Sequence, residues 1–267
     1  MGRNIMLSLL LAIICSPVPQ SWAGESSHTY GKNKTSASSA DTGQTHSYRQ
    51  GFDMKLWMNN MGMFGEIAVP PFGDFFLPPY GLEYPEGSGI EHLYGGGLWV
   101  GAIIDTSSSD TVKNVKAVTT GYEGWSGPLF EFYGNPDGSD FFYVTSIDRP
   151  NTHNHRFIDD DNDGQVDEDE LNGTDDDNDG KIDEDYGAVS ENDAYVAYTD
   201  YYNSPPVVGH VPLNIKVWQR SFAWKDRVKE PILPFEFYIV NKGEKVLHDI
   251  YVGFFTDIDI GPINLSG

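Results

Sequence analysis

The sequence predicts a mainly β protein of sandwich type, in which two strand-rich regions are interrupted by an irregular acidic segment. Three features support this prediction. Runs of β-branched and aromatic residues recur along the chain, Gly and Pro punctuate them, and no amphipathic helical stretch of four turns is present. The chain has 267 residues, which is enough to bury a sizeable core.

Residues 1–23 have the features of an export signal. Arg3 supplies a positive charge, Ile5–Ile14 form an apolar core, and Ala23 is a small residue at the expected cleavage site. A membrane span needs about 20 apolar residues, roughly twice this run. We expect cleavage after Ala23, a secreted or cell-surface location, and no membrane span in the mature chain. Cleavage would also remove Cys15, the only cysteine, so the mature chain would lack disulfides and thiol chemistry.

The charge of the chain argues against one class of partner. The net charge is −23, and no strongly basic cluster interrupts it. Nucleic-acid binding depends on Lys and Arg side chains that neutralise phosphates. We therefore expect no nucleic-acid partner.

The region before the acidic segment divides into two parts. Residues 24–50 are rich in Ser, Thr and Gly and are expected to form a flexible polar leader. Residues 51–150 are expected to be β-rich. Gly97–Ile104 and Thr111–Thr120 flank a polar turn and predict a hairpin, and Asp140–Ile147 predicts a further strand.

Residues 191–267 are expected to form a second, sandwich-like region with its own apolar core. Phe235, Phe237 and Ile239 alternate with Glu236 and Tyr238, the period-2 pattern of a strand with one buried face. Two other runs, NIKVWQRSFAW and DIYVGFFTDIDI, have the same β-rich composition. The chain stops soon after the last run, as expected for a fragment of a larger protein.

The acidic segment, expected to occupy residues 151–190, contains two copies of one pattern. Fifteen carboxylates and a single Lys lie between Asp159 and Asp185, and the copies are offset by 16 residues. Each follows D-x-D-x-D-G-x-hydrophobic-D, the pattern of a calcium loop. Ca²⁺ takes six to eight oxygen ligands, and Gly at position 6 permits the sharp turn around the ion.

The first copy matches the EF-hand loop pattern throughout. Carboxylates occupy positions 1, 3, 5, 9 and 12, position 7 offers a carbonyl, and Val166 at position 8 is expected to face inward. The predicted ligands are Asp159, Asp161, Asp163, Gln165 (carbonyl), Asp167 and Glu170.

The second copy departs from the pattern at position 12, where Tyr186 replaces Glu. Either Glu184 or Asp185 closes this loop, or the loop binds its ion more weakly. We expect about two Ca²⁺ ions of unequal affinity. The predicted ligands are Asp175, Asp177, Asp179, Lys181 (carbonyl), Asp183 and Asp185.

The short offset between the copies indicates which calcium-binding family the segment resembles. Paired EF-hands need a helix on each side of every loop, and only four residues separate the copies here. Residues 157–187 therefore resemble thrombospondin type 3 repeats, which wrap around their ions with little regular structure. The resemblance implies calcium binding and nothing more specific.

A looser resemblance extends over more of the chain. GGGLWVGAI, the acidic repeats, VWQRSFAW and FEFYIVNKGEKVLHDIYVGFFTDIDIG together resemble N-terminal regions of large secreted surface proteins of Bacteroidetes-like bacteria. The resemblance implies a multidomain surface protein.

Catalytic motifs are weak in this sequence. The run from Gly124 to Pro128 approaches a nucleophile elbow but lacks its last Gly. His153 and His155 are half of a zinc site at most, and Asp257 with Asp259 is expected to be a solvent-facing pair on one strand face. Four tryptophans offer sugar-stacking surfaces, although Trp in a sandwich is more often core; these are Trp99, Trp125, Trp218 and Trp224.

We therefore predict a non-enzymatic, calcium-stabilised protein with a structural or adhesive role, whose partner is an extracellular protein or a polysaccharide. The alternative is the non-catalytic N-terminal part of a secreted hydrolase or carbohydrate-binding protein. Either function is compatible with the predicted export and with the predicted calcium segment.

Overall fold

The strands of this computed structural model form two antiparallel sheets and one small parallel pair, which confirms the mainly β prediction. The structure describes residues 11–14, 47–65, 81–105, 114–122, 131–134, 143–145, 154–155, 164–166, 178, 180, 186–201 and 209–262. Within these residues there is no helix, and hence none long and apolar enough to cross a membrane.

The strands of the described residues are numbered in chain order. They are β1 Leu11–Ile14, β2 Ser47–Gly51, β3 Lys55–Asn59, β4 Met63–Gly65, β5 Leu82–Glu83, β6 Ile90–Glu91, β7 Gly95–Ile104, β8 Val115–Thr120, β9 Tyr133–Gly134, β10 Tyr143–Val144, β11 Asn154–His155, β12 Gly187–Ala188, β13 Asn192–Thr199, β14 Ile215–Ala223, β15 Ile232–Asn241, β16 Leu247–Asp257 and β17 Gly261–Pro262.

Each sheet combines strands from both sides of the acidic segment. Sheet A has the order β1-β15-β14-β13-β10, and β9 also pairs with β13. Sheet B has the order β16-β7-β4-β3-β5-β6-β17, with β2 pairing β3 and β8 pairing β7. The acidic segment therefore interrupts the chain between strands that belong to the same sheets.

The predicted hairpin is confirmed. Strands β7 and β8 pair antiparallel, from Trp99 opposite Thr120 to Ile104 opposite Val115. The alternation predicted for β15 is also confirmed, because Phe235, Phe237 and Ile239 are buried while Glu236 and Tyr238 are more exposed.

Strands β15 and β16 are consecutive in the chain but lie in different sheets. Strand β15 pairs with β14, whereas β16 pairs with β7 from Leu247 opposite Ile104 to Asp257 opposite Gly95. Residues 242–246 therefore carry the chain from sheet A to sheet B. Period-2 alternation indicates which face of a strand is buried but not which strand is its neighbour.

The two strand-rich regions share a single core instead of the separate cores expected from the sequence. One cluster of buried apolar residues includes members from both regions. At its centre the ring of Phe64 from sheet B meets the ring of Phe235 from sheet A edge-on, with centroids 5.0 Å apart. Packing of this kind contributes about 0.5–1.5 kcal/mol beyond the buried area. In addition, β2 begins at Ser47, inside the stretch expected to be a flexible leader.

Candidate functional site

The two ends of the acidic segment lie side by side. Strands β11 and β12 pair in parallel, with Asn154 opposite Gly187 and His155 opposite Ala188. Parallel strands need a long connection between them, and here residues 156–186 supply it. The segment therefore leaves the fold and returns to it at one place.

Tyr186 fixes the C-terminal end of the segment to sheet A. Its side chain is buried, its hydroxyl donates to Oδ2 of Asp193 at 3.1 Å, and the same hydroxyl accepts a hydrogen bond from the Arg220 guanidinium. The guanidinium carbon of Arg220 also lies 5.5 Å from the centroid of the Tyr186 ring. Burial, and then the nearby Asp193 charge, raise the pKa of Tyr186 above its ordinary value, so the phenol stays protonated and keeps donating.

Tyr186, Asp193 and Arg220 together form the anchor of the acidic segment, and Asp193 is its buried carboxylate. It accepts from the backbone N–H of Val189 at 2.7 Å, from the N–H of Ser190 at 2.8 Å, and from the Ser190 hydroxyl. Burial raises the pKa of Asp193, and these hydrogen bonds oppose that rise. With Tyr186 as a fourth donor, both carboxylate oxygens are used within the fold, which makes Asp193 a structural group.

This anchor explains the departure of the second copy from the loop pattern. Position 12 of a calcium loop supplies a bidentate carboxylate, but the side chain at that position, Tyr186, points into the anchor with Asp193 and Arg220. Tyr186 therefore supplies no closing carboxylate, and both predicted alternatives stay open: another residue closes the second loop, or the loop binds its ion more weakly. Both candidates for that role, Glu184 and Asp185, lie outside the described residues.

Most of the predicted ligands also lie outside the described residues. These are Asp159, Asp161, Asp163, Asp167, Glu170, Asp175, Asp177, Asp179, Lys181, Asp183 and Asp185. Gln165 is described and exposed. Val166 is 48% exposed, so the expectation that it faces inward is wrong in this structure.

The described backbone of the two loops has the conformation that the pattern requires at position 6. Gly164 has φ +100° and Gly180 has φ +97°, values that L-residues with side chains rarely adopt. A Cβ atom at either position would meet nothing within 4 Å. Gly is therefore required by the backbone conformation and not by a lack of space. Asn178, two residues before Gly180, also has positive φ, at 70°.

The fit of these loops to calcium depends on the donor set. Carboxylate and carbonyl oxygens are the ligands that Ca²⁺ prefers, and the turn at position 6 lets alternate side chains converge on one ion. Among the described residues alone, no group of three or more His, Cys, Asp or Glu side chains is placed to hold a metal.

Comparisons with protein-family models, with curated proteins and with solved structures gave no match. The function of this chain must therefore be inferred from its own residues.

The other candidate groups are Asp257 with Asp259, His153 with His155, and the run from Gly124 to Pro128. Strand β16 ends at Asp257, so Asp259 lies beyond it and the two do not share a strand face. His155 lies in β11, while His153 is outside the described residues, as are Gly124 to Pro128.

Three of the four tryptophans are described, and all three are partly buried. Trp99 stacks on Phe255 with centroids 5.7 Å apart, and Trp224 lies beside Phe222. Trp218 is next to Tyr238 on the outer face of sheet A, with centroids 5.3 Å apart. Trp125 lies outside the described residues.

Sequence reasoning missed buried polar groups that join the sheets, among them the group around Asp200. Asp200 follows β13 of sheet A and accepts a hydrogen bond from the Thr119 hydroxyl of sheet B at 2.8 Å. It also accepts from the backbone N–H groups of Leu213 at 2.6 Å and Ile215 at 2.8 Å. Thr119 is fully buried, so its hydroxyl is inaccessible to a substrate and the group is structural. No local pattern marks it, because its members are far apart in the sequence.

Proposed function

We propose that this chain is a secreted or cell-surface calcium-binding protein with a structural or adhesive role and no catalytic activity. The observation that carries the proposal is the repeated D-x-D-x-D-G pattern, in which Gly164 and Gly180 share nearly the same left-handed backbone conformation. An acidic spacer without a ligand has no need for Gly at the same place in each copy. The thrombospondin type 3-like character of the segment belongs to this proposal.

Calcium gives the segment a physical reason to fold. Fifteen carboxylates within residues 159–185 repel one another, and bound divalent cations would relieve that repulsion. Because β11 and β12 hold the two ends together, ordering of the loops is coupled to the sandwich at that point. The ions would thus stabilise both the segment and its attachment.

The proposal is tested by calorimetric titration of the mature protein with Ca²⁺. We expect two sites of unequal affinity. Asp163→Ala should abolish the first and Asp179→Ala the second, since both residues occupy position 5 of their loops. Asp160→Ala and Asp176→Ala are matched controls, because they remove the same charge at position 2, which supplies no ligand.

Two results would contradict the calcium proposal. One is the absence of heat and of ion uptake at millimolar Ca²⁺. The other is an equal loss of affinity in the position-5 and position-2 variants, which would indicate diffuse ion attraction instead of defined sites.

Export is a separate part of the proposal. The apolar run Ile5–Ile14 and the small residue Ala23 support removal of residues 1–23. When the chain is expressed with its own leader in a Gram-negative host, N-terminal sequencing of the exported protein should begin at Gly24. Retention of Met1 would contradict the proposed export and would leave the calcium proposal unaffected.

Carbohydrate binding is the second candidate function, and one surface favours it. Trp218 and Tyr238 lie side by side on the outer face of sheet A, and the amino group of the exposed Lys242 is 5.7 Å from the Trp218 ring centroid. Aromatic rings stack on sugars, and cations attract acidic ones.

Retention on a panel of insoluble polysaccharides tests this second candidate. Trp218→Ala should reduce retention, whereas Trp224→Ala, which removes a Trp beside Phe222 and leaves the Trp218–Tyr238 pair intact, should not. Equal retention of the two variants would contradict it.

A further inference from the structure

The anchor of the acidic segment and the Trp218–Tyr238 pair lie on the same face of sheet A. Arg220 of the anchor and Trp218 are alternate residues of β14, so their side chains are on the same side of the sheet. Tyr238 is directly opposite Trp218 in the pairing of β14 with β15, and directly opposed residues share a face. The end of the acidic segment is therefore fixed beside the aromatic pair.

Tyr186 belongs to the group of side chains that supports Trp218. It forms a small buried cluster with Tyr195, and Trp218 and Ala188 pack against this cluster. Tyr186 also occupies position 12 of the second calcium loop. The residue that ends this loop is therefore part of the packing beneath the Trp218 ring.

The charges near the Trp218 ring favour an acidic ligand. The amino group of the exposed Lys242 is 5.7 Å from the ring centroid, and that of Lys216, a buried residue, is 4.8 Å from it and adds positive potential. Arg220 and Glu236 form an ion pair at 3.8 Å, so their charges offset each other. Aromatic rings stack on sugar rings, and ammonium groups bind carboxylates.

Calcium in the second loop has a physical route to this surface. Without the ion, the carboxylates of the segment repel one another, and the loop exerts that repulsion next to Tyr186. A bound ion removes the repulsion and fixes the end of the loop. A sugar that stacks on Trp218 then loses less conformational freedom on binding, because the packing under the ring is already ordered.

We propose that the outer face of sheet A binds acidic oligosaccharides through Trp218, Tyr238 and Lys242, and that calcium in the second loop strengthens this binding through Tyr186. The inference rests on the proposed calcium function and joins it to the carbohydrate candidate. Thermodynamic linkage makes the effect reciprocal, so the sugar tightens calcium binding at the second site by the same factor.

Calorimetry of the mature protein with a uronic acid trisaccharide tests the proposal. The trisaccharide should bind about tenfold more tightly in saturating Ca²⁺ than in EDTA. The methyl ester of the same trisaccharide is the control ligand, because it keeps the sugar rings and removes the carboxylate charges that Lys242 attracts. It should bind more weakly than the acid in both conditions.

Variants of the calcium loops test the route through Tyr186. In saturating Ca²⁺, Asp179→Ala should lower the affinity for the trisaccharide to the value measured in EDTA. Asp176→Ala, which removes the same charge at a position that supplies no ligand, should bind the sugar like the wild type. Asp163→Ala in the first loop should have a smaller effect, because only the second loop ends at Tyr186. Equal losses in the Asp163 and Asp179 variants would overturn this route.

Fluorine NMR of protein labelled with fluorotryptophan reports on the ring itself, without any sugar. Calcium should shift the resonance of Trp218, which is assigned by its loss in Trp218→Phe. The resonance of Trp99, which stacks on Phe255 in sheet B, should stay unchanged. The shift of Trp218 should be absent in Asp179→Ala and present in Asp176→Ala.

The outcomes separate this inference from the proposed calcium function. Normal calcium uptake, together with a sugar affinity that is equal in Ca²⁺ and in EDTA, would overturn the inference and leave the calcium proposal intact. Absence of calcium uptake would refute the calcium proposal and the coupling with it. No binding of the trisaccharide, or equal affinities for the acid and its methyl ester, would overturn the assignment of an acidic sugar to this face.

Discussion

The hydroxyl of Tyr186 donates a hydrogen bond to Oδ2 of Asp193 at 3.1 Å, and this bond fastens the end of the acidic segment to sheet A. The Arg220 guanidinium donates to the same hydroxyl and completes the anchor. The residue that breaks the calcium-loop pattern is therefore the residue that holds the segment in place.

The first prediction concerns this hydroxyl. Tyr186→Phe leaves Asp193 and Arg220 each with one partner fewer and should lower the free energy of unfolding by about 1–3 kcal/mol. Because the second loop ends at the anchor, its calcium affinity should fall more than that of the first loop. Urea unfolding in EDTA and calorimetry with Ca²⁺ measure the two effects separately.

Tyr198→Phe is the matched control for this variant. Tyr198 is also buried, but its hydroxyl donates to Gln219 at 3.0 Å in the core, away from the anchor. A similar loss of stability without a change in calcium affinity is expected. If both variants bind calcium like the wild type, the anchor is only a structural contact.

The second prediction concerns the glycines of the two loops. Gly164→Ala and Gly180→Ala force a side chain into a left-handed backbone conformation at a cost of about 1–2 kcal/mol. The affinity of the altered loop should fall about tenfold for each 1.4 kcal/mol of that cost. Gly209→Ala is the control, since Gly209 has φ +90° and equally open surroundings outside the acidic segment. A loss of calcium affinity in the Gly209 variant would show that the effect is indirect.

The sequence predicted β14, β15, β16 and the β7–β8 hairpin, but it predicted neither β13 nor the other strand neighbours. The alternation of Phe235, Phe237 and Ile239 defined the buried face of β15, and the turn after Ile104 defined the β7–β8 hairpin. Alternation says nothing about pairing, so the crossing of residues 242–246 to the other sheet could not be foreseen.

The candidate site was also only partly predictable. The loop pattern is local and hence visible in the sequence. The role of Tyr186 depends on Arg220, a residue 34 positions away, and only the folded sheet brings the two together. The same holds for the contact between Thr119 and Asp200, which are 81 positions apart.

The third prediction uses the buried carboxylate of Asp200. Burial raises its pKa in the folded protein above the value of the unfolded chain, about 3.9. The stability that this shift contributes is fully present at pH values below the pKa of Asp200 in the unfolded chain. It is lost as the pH rises through the pKa of Asp200 in the folded protein. Asp200→Asn removes this pH dependence and also disturbs the hydrogen bonds from Leu213 and Ile215, at a cost of about 1–3 kcal/mol.

The difference in unfolding free energy between wild type and Asp200→Asn should therefore be larger near pH 4 than near pH 7. Chemical unfolding across this range measures it. Asp226→Asn, which changes an exposed carboxylate that accepts a hydrogen bond from Val228, should have little effect on stability throughout the range. A difference for Asp200→Asn that is independent of pH would contradict the argument.

The last prediction joins calcium to the fold. Calcium that binds only the folded loops stabilises them by about 2.7 kcal/mol per site at a hundredfold excess over Kd. EDTA should therefore lower the melting temperature and expose residues 159–185 to proteases. Strand circular dichroism should largely persist, because the shared core lies in sheets A and B and not in the acidic segment.

The topology adds a sharper expectation for the cleaved protein. Strands from both sides of the acidic segment pair within each sheet, as β10 with β13 in sheet A and β7 with β16 in sheet B. A cut within residues 159–185 should therefore give two bands on a denaturing gel but a single peak in size-exclusion chromatography under native conditions. Separation of the two pieces in the native column would contradict the shared core. Equal cleavage rates with and without Ca²⁺ would instead identify the acidic segment as a solvated spacer, because an ordered calcium loop resists proteolysis until it opens.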